Sequence, residues 1–338
     1  MCRSRFPLAT IAVLALALQC AAPVRSVRPC DELTIGSAAT GETPPADPQR
    51  IAQLIAELNA EDFSTRQSAH EALVKIGEPA LPLLHAPARS DSAEVRFRAD
   101  AIIRELQHRA LLAGFRRMGQ TDDERIDLDE GMWLIARILD PLSRREELDR
   151  RLDELAAGVR KRLGEGVDPR TAPPREVVDA VVHVVFVDEG FTGNRADYDN
   201  PHNSSLAHVL EQKKGLPILL SHLVVSVGER LEVPLVGLQV PSRYMLKYDG
   251  AKAPKGQPAD DIVIDAYGDG KILTLDELKA LVPSFDPATH LAPSSRRATL
   301  TRMLRNLAND LQQAGRHEEA QQVERYLLLC DEAIPAAP

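Results

Sequence analysis

A predominantly helical α+β fold follows from three observations on the sequence. Apolar residues recur at helical spacing along most of the 338 residues. Strand candidates are few and cluster between residues 234 and 273. Aromatic residues make up only 4% of the chain against 44% hydrophobic residues overall, so the core is built from Leu, Val, Ile and Ala. That composition suits helices packed on helices and on one small sheet. The length allows two or three domains.

The first residues belong to targeting rather than to the fold. Arg3 and Arg5 precede an apolar run, FPLATIAVLALALQ, and CAAP then offers small residues for cleavage near Ala22 or Ser26. A signal peptide over 1–26 and export to the periplasm or medium are therefore expected. The run is short for a membrane span, and no span is expected in the mature chain. Cys20 raises lipid attachment, but Gln19 sits where a lipobox wants a small residue. Loss of residues 1–22 carries the net charge from −9 to −11. Such a chain has no electrostatic footprint for nucleic acid or anionic lipid. Cys30 and Cys330 remain, too few for a disulfide framework and without metal-ligand spacing. Residues 27–48, rich in Pro, Gly, Ser and Thr, read as a flexible linker.

Four short apolar stripes occupy 49–110. They are Ile51, Leu54, Ile55 and Leu58; Phe63, Ala69, Leu73 and Ile76; Leu81, Leu83 and Leu84; and Val95, Ala99, Ile102, Ile103 and Leu106. Gly77-Glu78-Pro79 breaks one helix and starts the next. The segment resembles about two HEAT-type helical repeats, too few to stand alone, so they are expected to lean on the next domain. A polar link over 109–125 follows. IDLDEGMWLIARILDP then puts Leu128, Met132, Ile135 and Leu139 on one helix face, with Asp127 or Asp129 as cap. SRREELDRRLDELAAGVRKRLG is a charged amphipathic helix, and PPREVVDAVVHVVFVDEG reads as another despite its valines. A Gly/Asn/Asp-rich loop leads to a short helix capped by Asn203 or Ser204. A helix opening at Gly215-Leu216-Pro217 comes next. PLVGLQVP, RYMLKYDG and DIVID are strands, and GKILTLDEL adds a short strand and a helix. The tail has two helices joined at Gly315-Arg316 and resembles a tetratricopeptide hairpin over 294–332.

The order of these blocks carries a resemblance. IDLDEGMWLIAR, NPHNSSLAHVLEQKKGLPILLSHL, EVPLVGLQVPSRYMLKYDG and VIDAYGDGKILTLDEL are similar to the SirB family of transglutaminase-like proteins, over about 124–290 with the tail continuing the likeness. The resemblance implies a papain-like core with a small antiparallel sheet. In active members of the wider superfamily a Cys opens the central helix, a His sits on the next strand and an Asp on the strand after. A helix N-terminus lowers a thiol pKa, the imidazole takes the proton and the carboxylate orients it. Here those positions fall on Pro217, Arg243 and Asp265. Proline suits the first helical turn but is no nucleophile. Arginine stays protonated and cannot act as a base.

Two substitutes for the lost chemistry follow. Ser221, one turn after Pro217, could be activated by His202 or His208 as a residual hydrolase or acyl transferase. Alternatively Arg243 and Asp265, with Asn203, Ser204 and Ser221, could floor a site for a peptide or small ligand. DAYGDGKILTLDEL resembles a calcium loop, but Tyr267 stands at a ligand position and a strand replaces the leading helix, so it reads as a turn. No HExxH or CxxC accompanies His183, His202, His208 and His222; no metal and no cofactor are expected. The expectation is a non-catalytic scaffold whose partner is another protein or an envelope component.

Overall fold

A computed structural model describes residues 47–241, 243–255, 259–282 and 284–331. The expected signal peptide, almost all of the linker, Cys20, Cys30 and Ser242 lie outside the described residues. The first helices are α1 (Pro48–Glu57), α2 (Phe63–Ile76), α3 (Leu81–Leu84) and α4 (Ala93–Gln120). Asp47, Asp62 and Ser92 cap α1, α2 and α4, each accepting a backbone N–H of the first turn. Ile51, Leu54, Leu58, Ala69, Leu73, Leu84, Ala99, Ile102 and Leu106 form one hydrophobic cluster, as the stripes predict. Three stripe members do not join it: Val95, buried near the start of α4, Phe63 and Leu83. Phe63 is 64% exposed at the start of α2, and Leu83 is 40% exposed because α3 is a single turn with one inward face.

The predicted link over 109–125 is instead mostly helix. α4 runs unbroken to Gln120, because Leu111, Phe115 and Met118 continue a buried stripe at helical spacing beneath the polar residues. Its first half belongs to the N-terminal cluster and its second half to the main core.

That core gathers α5 (Leu128–Leu139), α6 (Arg145–Leu163), α7 (Pro174–Val182), α8 (Leu206–Gln212) and α9 (Pro217–Leu231). Asp127, not Asp129, caps α5. Ser205 caps α8, one residue beyond the expected Asn203 or Ser204, since those two lie in the preceding single turn Pro201–Ser204. α7 continues into a π-helical turn, His183–Asp188. Two-residue strands β1 (Thr192–Gly193) and β2 (Lys214–Gly215) pair in parallel just before α9.

The antiparallel sheet has the order β3 (Leu235–Val240), β4 (Arg243–Tyr248), β5 (Ile262–Asp265) and β6 (Lys271–Leu273). Alternation divides its residues between two cores. Leu235, Tyr244, Leu246 and Ile264 belong to the main core with α9. Leu238, Val240, Met245, Val263 and Leu273 face the other way, against Leu278 of α10 (Leu275–Leu281), Val282 and Phe285. After α11 (Pro287–His290), α12 (Arg296–Gln313) and α13 (His317–Asp331) form a helical hairpin. α13 lies directly against α4: a Cβ on Gly119 would stand 1.8 Å from the Leu329 carbonyl oxygen. The buried Cys330 thiol, pushed up to about 12 by burial, touches the Phe115 carbonyl at 3.8 Å.

Candidate functional site

Pro217 is the first residue of α9 and is buried. Its missing N–H costs nothing there, and Leu216 before it makes no side-chain cap. The helix end that would activate a thiol therefore presents a pyrrolidine ring.

Arg243 opens β4 and Asp265 closes β5, at the same end of the sheet. Their side chains form an ion pair, Nη1 to Oδ2 at 2.5 Å, with Asp265 buried and Arg243 38% exposed. The second carboxylate oxygen of Asp265 accepts the Gly268 N–H at 3.1 Å. Register sets Arg243 opposite Val240, and Asp265 shares the parity of Val263. The pair thus stands on the sheet face turned away from α9.

Beside this end of the sheet, Tyr267 fills the space next to β1. A Cβ on Gly193 would lie 2.5 Å from the Tyr267 ring, so only glycine admits the ring there. The Tyr267 hydroxyl donates to the Asn194 carbonyl at 3.2 Å. Arg195 lies over the ring at 5.1 Å and donates to the Tyr267 carbonyl at 2.6 Å. Tyr198 meets the ring edge-on at 6.1 Å. Asn194 donates to Asn203 Oδ1, and Asn203 donates to the carbonyls of Asp197 and Tyr198. Asn203, fully buried, is spent on holding the 194–200 loop.

The other expected site residues are not brought together with Arg243. Ser204 donates to Asp310 Oδ2 of α12 at 3.4 Å. Burial raises the Asp310 carboxyl to about 6, the Ser204 hydrogen bond opposes this and Asp199 adds to it. Ser221 is fully buried and donates to the Tyr244 carbonyl at 3.5 Å. His202 and His208 lie against each other with tilted rings, the centroids 5.2 Å apart. The Ser–His arrangement that a residual hydrolase needs does not form among the described residues. His183 pairs with Asp188 at 3.2 Å within its π turn.

One polar cluster escaped the sequence reading. Buried Asp129 of α5 accepts from Ser226 at 2.5 Å and from Arg230 at 2.6 Å, with His222 Nε2 at 3.6 Å. Burial pushes the Asp129 carboxyl upward, but His222, Ser226 and Arg230 outweigh it and hold it far below the carboxylate range. Arg230 also reaches Asp149 and Asp153 of α6 at 2.9 and 2.8 Å. The signal was present: His222, Ser226 and Arg230 fall four residues apart, a polar stripe on an apolar helix. The cluster ties α5, α6 and α9 together. Ser226 bonds to the carboxylate rather than to the imidazole, so it is no catalytic triad.

Comparison with known proteins agrees with this architecture. A model of the transglutaminase-like superfamily matches residues 146–305. The UPF0162 protein of Xylella fastidiosa strain 9a5c is 30% identical over 222 residues, covering 62% of this chain and 74% of that protein. The F-box only protein 21 of Mus musculus is 35% identical over 133 residues, 39% of this chain. The chain spans only 21% of that F-box protein's length. No solved structure matches. With a helix–sheet core of this design and a relative aligned over most of its length, the chain belongs to the UPF0162 family and carries a transglutaminase-like domain.

Proposed function

We propose that this protein is an exported, non-catalytic transglutaminase-like binding protein that presents its surface to another protein or an envelope component. One observation carries the reading: the first turn of α9 holds Pro217, while Arg243 is committed to Asp265. A proline cannot attack a carbonyl, and a guanidinium cannot take a proton at working pH. Tyr267 over Gly193 further narrows the space beside β1. The HEAT-like stretch at 49–110 and the tetratricopeptide-like hairpin at 294–332 are read as parts of the binding surface, and residues 1–26 as the export signal.

The test is incubation of the mature protein with p-nitrophenyl acetate, an acyl thioester and a serine-directed fluorophosphonate, followed by intact-mass spectrometry. The expected result is no turnover above buffer and no adduct. A covalent adduct on Ser221 or any neighbouring side chain, formed during turnover, overturns the non-catalytic reading. Cell fractionation that leaves the chain in the cytoplasm overturns the exported part.

A further inference from the structure

We infer that the seam between the N-terminal helices and the transglutaminase-like core is a docking groove for an extended, acidic peptide segment of another protein. This rests on the binding-protein reading above and names the surface and the chemistry of its partner.

Two hollows of about 430 and 610 Å³ lie along this seam, and a third of about 640 Å³ continues from them across the core surface. Each shares walls with the next. Glu78, Trp133 and Arg137 belong to the first and second; Leu142, Ser143 and Arg144 belong to the second and third. The row begins beside Val74 and Leu106, crosses the α5–α6 connection and ends between α6 and α8, beside Leu148 and Leu210. A sequence of small hollows with shared walls suits alternating side chains of an extended strand of peptide.

Charge selects the occupant. In the first hollow Arg109, Arg117 and Arg137 face a single carboxylate, Glu78. In the second, Arg137, Arg144 and Arg145 face Glu78 and Glu146. In the third, Arg144, Arg150, Arg151 and Lys213 face Asp140, Glu147 and Glu211. Cations outnumber carboxylates in every hollow, on a chain whose net charge is −9. Several of these cations pair with carboxylates outside the groove: Arg109 with Glu105, Arg117 with Glu130, and Lys213 with Glu189. The arginines of the first two pairs face solvent, where ion pairs stabilise little, so a partner's carboxylates can compete for them. Arg144 is the least committed, 76% exposed and 3.7 Å from Glu146.

The groove also offers anchors. Leu142 is 45% exposed on the wall between two hollows. Trp133 is half-buried, stacks on Arg137 at 4.8 Å and donates to the Ser143 carbonyl at 2.9 Å. The Ser143 hydroxyl, beside that shared wall, is buried without a hydrogen-bond partner.

Trp133 is the only tryptophan in the chain, so its emission reports occupancy of the groove directly. The experiment selects a random phage-displayed peptide library on the whole mature protein. Synthetic versions of the enriched peptides are then titrated while Trp133 emission is followed. The expected peptides are acidic with interspersed aliphatic residues, alter Trp133 emission on binding and lose affinity as salt is raised. The double variant Arg144→Glu/Arg150→Glu and the single variant Leu142→Asp each weaken binding by about tenfold or more. These side chains are exposed, so circular dichroism should match the wild type. No enrichment, enriched peptides without acidic residues, or equal binding by the variants overturns the proposal. So does a preference of the same arginines for anionic vesicles or duplex DNA. A chain that is inert toward acyl substrates yet binds no peptide sinks the groove alone, whereas acyl turnover sinks the parent reading.

Discussion

Asp310 and Ser204 meet where α12 covers the single turn Pro201–Ser204, and their chemistry gives a pH dependence with a definite sign. Asp310 is held up at about 6 by burial, with Asp199 adding repulsion. Tyr198 also stands close to Asp310, with Arg302 close to Tyr198 in turn. A carboxyl with a raised folded pKa favours the folded state when protonated. Its contribution is whole below the unfolded value of about 3.9 and is lost as pH rises through about 6. Asp310→Asn removes the titration while keeping the shape. The variant should be more stable than wild type at pH 7 by roughly 2 kcal/mol, with no difference near pH 4. Urea denaturation at both pH values reads this, and equal stability at pH 7 would count against the raised carboxyl. Asp129 behaves oppositely: its depressed carboxyl supports the fold at all pH values above the ordinary carboxylate range and fails only in strong acid.

At the scale of elements, contact between α4 and α13 depends on one missing methyl group. Gly119→Ala would drive a Cβ into the Leu329 carbonyl, a backbone atom that cannot swing aside. The helices must separate, and the expected loss is about 1–3 kcal/mol, seen as a lower midpoint in thermal denaturation. An unchanged midpoint would mean that the two helices do not touch at Gly119. Much of the element order was legible in advance. The strands of the antiparallel sheet fall within the expected segments, and α6 ended at Gly164 as its glycine indicated. Three features were not legible, each for a physical reason. The 109–125 stretch looked like a link because polar residues outnumber Leu111, Phe115 and Met118, although those three alone make the buried stripe. Phe63 looked like core because an apolar side chain on a helix gives no sign of which face is covered. The candidate site was legible as a set of positions but not as a place. Pro217, Arg243 and Asp265 occupy their expected elements, yet strand parity sends the ion pair to the face away from Ser221. Buried Asn203 and Ser204 turn to structural partners, because burial obliges each polar group to find one.

For the whole molecule, α4 is the element on which the N-terminal cluster and the main core converge. Val95 is buried near its start, Ala99, Ile102 and Leu106 pack with the N-terminal helices, and Leu111, Phe115 and Met118 pack into the main core. A chain lacking residues 1–92 would leave Ala99, Ile102 and Leu106 of α4 open to water. We expect that truncated chain to bind a hydrophobic dye, to lose solubility and to melt below the full-length protein. If it melts at the same temperature without dye binding, the two clusters are independent. The unbroken course of α4 also has a mechanical side. From Val95 to Phe115 a straight helix covers about 30 Å without a joint. A tug on the amino-terminal end would therefore be transmitted along a stiff rod to Phe115 and its stacking partner Tyr326, rather than absorbed by a slack tether.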